Sequence, residues 1–147
     1  VTKRIPYLCG FWRFANAYHT FLGEERGSRI DPIGSAVKRQ MCFSLHNDAP
    51  VTEASPLSLI WNCVTRTTQN GKVIAPEQRI SVYDALKGVT CNAAFQYGVE
   101  AWIGSLTPGK RADFVVLDRD ILSTPAEEIK DIGIKEVWVN GLKRAEG

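Results

Sequence analysis

The apolar and polar residues of this chain alternate with periods that predict a mixed α/β protein. Residues 56–68 and 79–98 carry apolar side chains at helical spacing, whereas residues 41–48 alternate as a β-strand does. The segment 31–40 is expected to form a further helix, with Asp31 as its cap. Because this helix leads directly into a strand, the two elements resemble the αβ half of a βαβ unit.

Residues that typically begin or end helices support these boundaries. Pro32 takes the first helical position, where its missing N–H costs no hydrogen bond. Ser81 starts a sequence that resembles a capping box, and Gly98 supplies a C-terminal stop. Upstream, residues 5–9 are a candidate buried strand, while residues 11–22 are rich in aromatic side chains without a clean period.

The character of the sequence changes near residue 100. Two short strands are predicted at 103–107 and 112–118, and Asn140-Gly141 is a strong signal for a β-hairpin. We therefore expect a part rich in helices, residues 1–100, followed by a small all-β part, residues 101–147.

Composition and charge exclude several classes of protein. Of the 147 residues, 44% are hydrophobic and 23% charged, which is ordinary for a soluble globular chain. A net charge of +2 with scattered basic residues gives no reason to expect a nucleic-acid partner. No apolar run approaches the ~20 residues that span a bilayer, so no membrane partner is expected either.

The cysteines and the N-terminal sequence indicate a cytoplasmic protein. None of Cys9, Cys42, Cys63 and Cys91 forms the C-x-x-C pair of zinc and redox motifs. We expect them to be reduced thiols, mostly in the core. The first residues have a basic start but no apolar region of the length found in signal peptides.

Candidate chemistry is concentrated at the end of the predicted strand 41–48. In a strand, Ser44, His46 and Asp48 would share one face, and Asp48 would stand at the carboxyl end, where α/β proteins place active groups. Such a carboxylate can bind a divalent metal or accept a proton from water. Alternatively, Asp48 only caps the turn before Pro50, and His46 is a packed or hydrogen-bonding residue. For His19 we expect a structural or surface role.

Several motifs together resemble one family. The sequence GSLTPGKRADFVVLD, residues 104–118, resembles the segment that closes metal-dependent hydrolases of the amidohydrolase superfamily. FSLHNDAPVT, PLSLIWNCVTR, PEQRISVYDALKGVTCNAA and EVWVNGLK resemble its amidohydrolase-3, or YtcJ-like, branch. The resemblance runs from about Gly23 to the end of the chain, and residues 11–20 match the family poorly.

The resemblance implies a fold and an activity. Residues 1–100 would be the last strands and helices of a (β/α)8 TIM barrel, and residues 101–147 would belong to a small β-sandwich. A parent protein would cleave non-peptide C–N bonds of a small-molecule substrate through a metal-activated water. Asp48 would bind the divalent metal, expected to be zinc, and handle the proton of the water. His46 would face the same pocket.

The same resemblance indicates that the site is incomplete. The family's H-x-H motif and its other metal ligands lie upstream of these residues, and a complete barrel needs ~250 residues. A catalytic zinc takes about three protein ligands. We therefore expect the isolated chain to bind no metal alone and to be inactive.

Two alternatives remain open at this point. The chain could be a truncated or degenerate family member that acts as an interaction module and self-associates, because a half-barrel leaves apolar faces uncovered. It could also be a small enzyme that uses His46 and Asp48 as a dyad, which would require a third catalytic partner near His46.

Overall fold

The computed structural model of the protein describes residues 11–146, in which helices precede a small antiparallel sheet. The α-helices are α1 (Phe11–Gly27), α2 (Ile33–Lys38), α3 (Pro56–Thr65), α4 (Val82–Val89) and α5 (Cys91–Tyr97). The strands are β1 (Phe114–Leu117), β2 (Ile134–Val139) and β3 (Leu142–Glu146). Short 3₁₀ helices occupy Pro76–Gln78 and Ala126–Asp131. The predicted strand 5–9 lies outside the described residues.

Helix α3 is the centre of the core. It packs against α4 and against the 3₁₀ helix Ala126–Asp131, and its buried residues cover most of its circumference. It begins at Pro56 because the Ser55 hydroxyl oxygen accepts a hydrogen bond from the Ser58 N–H at 3.2 Å. The prediction extended this helix to residue 68, but it ends at Thr65 because Arg66 adopts a left-handed conformation, with φ at 58°.

The predicted helix 79–98 is two helices. As predicted, Ser81 caps the first one by accepting a hydrogen bond from the Asp84 N–H, and Gly98 ends the second with a φ of 71°. Between them Thr90 has φ −124° and ψ −101°, which no α-helix accommodates.

The predicted helix 31–40 is shorter than expected. It begins at Ile33, its N-cap is Pro32, and no side chain caps it. The expectation that Asp31 caps this helix is therefore wrong. Asp31 has a φ of 46° and contributes its backbone carbonyl oxygen to a contact with Arg66 instead.

The predicted strand 41–48 is wrong for the described chain, because this segment has no regular strand. A strand needs a neighbouring strand to complete its hydrogen-bond ladder, and the N–H of Leu45 donates instead to the Gly88 carbonyl oxygen in α4 at 3.1 Å. Phe43, Ser44 and Leu45 are buried in succession. The close packing requires glycine at 88, since a Cβ there would lie 2.9 Å from the Leu45 Cγ.

The residues 11–22, for which no element was predicted, belong to helix α1. Ala15 is fully buried and Trp12 is partly buried against the core, whereas Phe21 is largely exposed, so the aromatic side chains are divided between the buried and exposed faces. The helix is kinked at Gly23, which has φ 76° and ψ 168°.

Residues 101–146 contain three strands, but they also contain the 3₁₀ helix Ala126–Asp131 and so are not all β. The three strands form an antiparallel sheet in the order β1-β2-β3, so the strand predicted at 112–118 is confirmed with shorter bounds. Asn140 and Gly141 both have positive φ, as a two-residue hairpin turn requires. The strand predicted at 103–107 is wrong, because Gly104 turns there with a φ of 88° and packs too closely on α5 to admit a Cβ.

The side chain of Arg66 is fully buried and joins three segments of the chain. Its guanidinium donates hydrogen bonds to the backbone carbonyl oxygens of Ile30, Asp31 and Ile74, at 3.1, 3.0 and 3.2 Å. Its own N–H donates to the Asn62 carbonyl oxygen, and its carbonyl oxygen accepts from the Ile74 N–H. Buried polar groups are tolerated when they are bonded in this way.

Burial controls the ionisation of the groups around this guanidinium. It raises the pKa of the Asp31 carboxyl from 3.8 to about 6, although the charge of Arg66 acts in the opposite direction. Burial also lowers the pKa of Arg66 and raises that of the Cys63 thiol. Cys63 is therefore an inert core thiol, as predicted, while Cys42 is exposed and Cys91 half-buried.

The variant Arg66→Met is expected to destabilise the fold. It would take away the Arg66 donors of the Ile30 and Ile74 carbonyl oxygens, whereas the Asp31 carbonyl oxygen would still accept from the Ile33 N–H. Each buried acceptor left unsatisfied costs about 1–3 kcal/mol. We expect the free energy of unfolding, measured by urea denaturation, to fall by roughly 3 kcal/mol or more. Arg39→Met, at an exposed arginine, is the matched control and should change it little. Equal stability of both variants would contradict the role of Arg66.

The variant Asp31→Asn is expected to remove a pH dependence of stability. Because the pKa is raised in the folded chain, the stabilisation from this group is present below pH 3.8 and is lost as the pH rises to about 6. At pH 7 the variant should therefore be the more stable protein, by at most about 3 kcal/mol. Urea unfolding of both proteins across this pH range tests the prediction, with the exposed Asp131→Asn as control. A difference that does not change with pH would contradict it.

Candidate functional site

The loop of residues 46–55 carries both residues of the predicted site out of the core. Asp48 has a φ of 56°, and its backbone carbonyl oxygen accepts a hydrogen bond from the Val51 N–H at 2.8 Å. The peptide bond Ala49–Pro50 within this turn is cis. The backbone of Asp48 thus forms the turn, while its carboxylate remains exposed.

The structure brings His46 and Asp48 together. The Nε2 atom of His46 lies 3.4 Å from the Oδ1 atom of Asp48, and the two side chains are 54% and 53% exposed. An imidazole and a carboxylate at this distance can share a proton or a cation.

The predicted third member of this face lies elsewhere. Ser44 was expected to share a side with His46 and Asp48, but it is buried and its hydroxyl donates a hydrogen bond to the Oε1 atom of Gln96 in α5. The reason is that residues 43–45 are covered on both sides, so the alternation of a half-buried strand does not apply to them.

Two residues of the loop have a role that the sequence analysis missed. The Thr52 hydroxyl donates to the backbone carbonyl oxygen of Asn47. The Asn47 side-chain amide donates to the backbone carbonyl oxygen of Ser55 at 3.4 Å. The available signal was the polar composition of the loop, because Asn, Ser and Thr often bond to nearby backbone groups in turns.

A cavity of about 360 Å³ lies between this loop, α1 and α3. Its wall includes Trp12, Asn47, Thr52, Glu53 and Trp61, but neither His46 nor Asp48. The predicted site residues therefore do not line this cavity.

The described residues supply at most part of a metal site. Asp48 and His46 are suitable ligand types, but among residues 11–146 no three His, Cys, Asp or Glu side chains are grouped as a metal ion would require. His19 lies half-buried in α1 and does not join the pair. Within the same residues, none of the helices combines the length and apolar character needed to cross a membrane.

Comparison with known proteins decides the family. The family model described as "Amidohydrolase family" matches residues 6–142. The chain belongs to this amidohydrolase family. The prediction from the motifs is thereby confirmed, and the match also covers residues 11–20, which the motif comparison had left outside the resemblance.

One curated protein and two solved structures are similar to most of the chain. An N-substituted formamide deformylase from Arthrobacter pascens is 30% identical over 135 residues, which cover 92% of this chain and 23% of that protein. A structure of a metal-dependent hydrolase from Pyrococcus horikoshii OT3 has a TM-score of 0.69 and 25% identity, over 84% of this chain and 26% of that one. Escherichia coli guanine deaminase has a TM-score of 0.62 and 19% identity, over 99% of this chain and 34% of that one. The chain thus spans about a quarter to a third of these relatives.

Proposed function

We propose that this chain is the C-terminal part of a metal-dependent hydrolase that cleaves non-peptide C–N bonds of small molecules. Membership of the amidohydrolase family supports the reaction class. The name of one relative, a deformylase of N-substituted formamides, describes a reaction of this class. The YtcJ-like branch, the (β/α)8 barrel for residues 1–100, the β-sandwich for residues 101–147 and a cytoplasmic location belong to the same proposal.

The exposed pair of His46 and Asp48 is the observation that carries the mechanism. Asp48 is the proton acceptor for the attacking water, since its carboxylate is accessible and lies on a hydrogen-bonded turn. The His46 imidazole, whose Nε2 atom lies 3.4 Å from this carboxylate, can donate a hydrogen bond to it.

A divalent metal, with zinc as the expected ion, would lower the pKa of water and polarise the substrate when bound. Asp48 would supply one ligand, and the remaining ligands would come from residues upstream in a longer protein. With two candidate ligand side chains, the isolated chain is expected to be inactive. In the longer protein, residues 41–48 would gain neighbouring strands and pair as a barrel strand.

A second candidate function is an interaction module that self-associates. It is favoured by large apolar side chains on the surface, among which Phe21, Tyr97 and Leu106 are 84%, 81% and 77% exposed. In the first proposal, other parts of a longer protein would cover such side chains.

Asp48→Asn in the complete hydrolase is expected to abolish turnover, because the amide cannot accept the proton. We expect kcat/KM to fall by roughly 10² or more, measured as amine release from a panel of N-substituted formamides. Glu53→Gln makes the same chemical change at an exposed carboxylate of the same loop and should leave turnover unchanged. Full activity of the Asp48→Asn variant would contradict the mechanism.

A further inference from the structure

The conformation of Asp48 needs support from its surroundings. Its φ of 56° lies in the left-handed region, which Asp adopts more readily than most L-amino acids but which is still less favourable than the right-handed regions. Packing contributes little of that support, because Asp48, Ala49, Pro50 and Val51 are all exposed. The inner side of the loop faces the cavity of about 360 Å³ rather than a packed core.

Hydrogen bonds fix the backbone on both sides of Asp48. The carbonyl of Asn47 belongs to the peptide plane before Asp48, and the Thr52 hydroxyl donates to that oxygen. The carbonyl of Asp48 belongs to the plane after it, and the Val51 N–H donates to that oxygen at 2.8 Å. Since φ and ψ are the only soft dihedrals of a residue, two fixed planes determine its backbone.

A further pair of contacts ties this arrangement to a rigid element. The Asn47 amide donates to the Ser55 carbonyl oxygen, and the Ser55 hydroxyl oxygen accepts from the Ser58 N–H at the start of α3. Helix α3 is the most buried helix among the described residues. The loop is therefore hydrogen-bonded to the start of a helix that the core holds in place.

We propose that Thr52 and Asn47 are positioning residues, which hold the backbone before Asp48 and thereby set the direction in which its Cα–Cβ bond presents the carboxylate. This inference rests on the proposed function for its catalytic meaning. Whether Thr52 and Asn47 hold the loop backbone can be tested without measuring enzyme activity.

The test is hydrogen exchange of the Val51 amide, measured by NMR on the 147-residue chain. Thr52→Val removes the hydroxyl at nearly constant volume and so removes its hydrogen bond to the Asn47 carbonyl oxygen. We expect the exchange rate of the Val51 amide to rise by a factor of up to about ten. Thr52→Ser keeps the hydroxyl and should retain the slow exchange. Asn47→Ala, which releases the loop from Ser55, should speed it as well. The Leu45 amide, bonded to the Gly88 carbonyl oxygen, serves as the control for intact folding.

Unchanged exchange at Val51 in Thr52→Val, with Leu45 still protected, would overturn the inference. In the complete hydrolase, Thr52→Val should lower kcat by about tenfold with little change in KM, and Thr52→Ser should restore it. An unchanged kcat in Thr52→Val, alongside an inactive Asp48→Asn, would also overturn it. An active Asp48→Asn variant would instead count against the proposed function. The exchange of the Val51 amide would still show whether Thr52 and Asn47 hold the backbone of the loop.

Discussion

The burial of the Arg66 guanidinium is the constraint on which the rest of the fold depends. Three backbone carbonyl oxygens from two separate segments converge on it, so the loop before α2 and the segment after α3 are held at fixed positions. The same residue ends α3 by its left-handed backbone. A charged group at this depth is stable only while all of these partners are present, which makes the arrangement cooperative.

Helix α3 connects the surroundings of Arg66 to the candidate site. Its C-terminal end is fixed by Arg66, and further carbonyl oxygens there accept from the Ile80 N–H and the Arg79 side chain. Its N-terminal end is capped by Ser55, which also receives the Asn47 amide. The loop that presents His46 and Asp48 is therefore built on an element whose two ends are both anchored.

Local signals in the sequence predicted the elements that local forces determine. The cap at Ser81, the stop at Gly98 and the hairpin at Asn140-Gly141 depend on residues within a few positions, and all three are confirmed. The strand at 41–48 depends on pairing with distant residues, and the period of its side chains could not reveal that such a partner is missing from residues 11–146.

The same distinction explains what was predicted of the site. His46 and Asp48 are two positions apart in one loop, so their proximity is a local property. The structure places the two side chains 3.4 Å apart. The contact of Arg66 with Ile30 and Asp31 joins positions 35 and 36 residues apart, and no periodicity signals it. The hydrogen bond from the Thr52 hydroxyl to the Asn47 carbonyl oxygen joins two residues of the same loop. It could not be predicted without knowing the backbone conformation of that loop. Family motifs supplied the reaction class, which the two side chains alone leave open.

We propose that these residues complete a site whose other ligands lie upstream in a longer hydrolase. The most direct test is the mass of the native product, detected in source cells by an antibody against this chain and verified by peptides that include Asp48. Since the chain spans 23% of its deformylase relative, the account predicts a product about four times larger than 16.3 kDa. A single product of 16.3 kDa would contradict the claim and favour the interaction module.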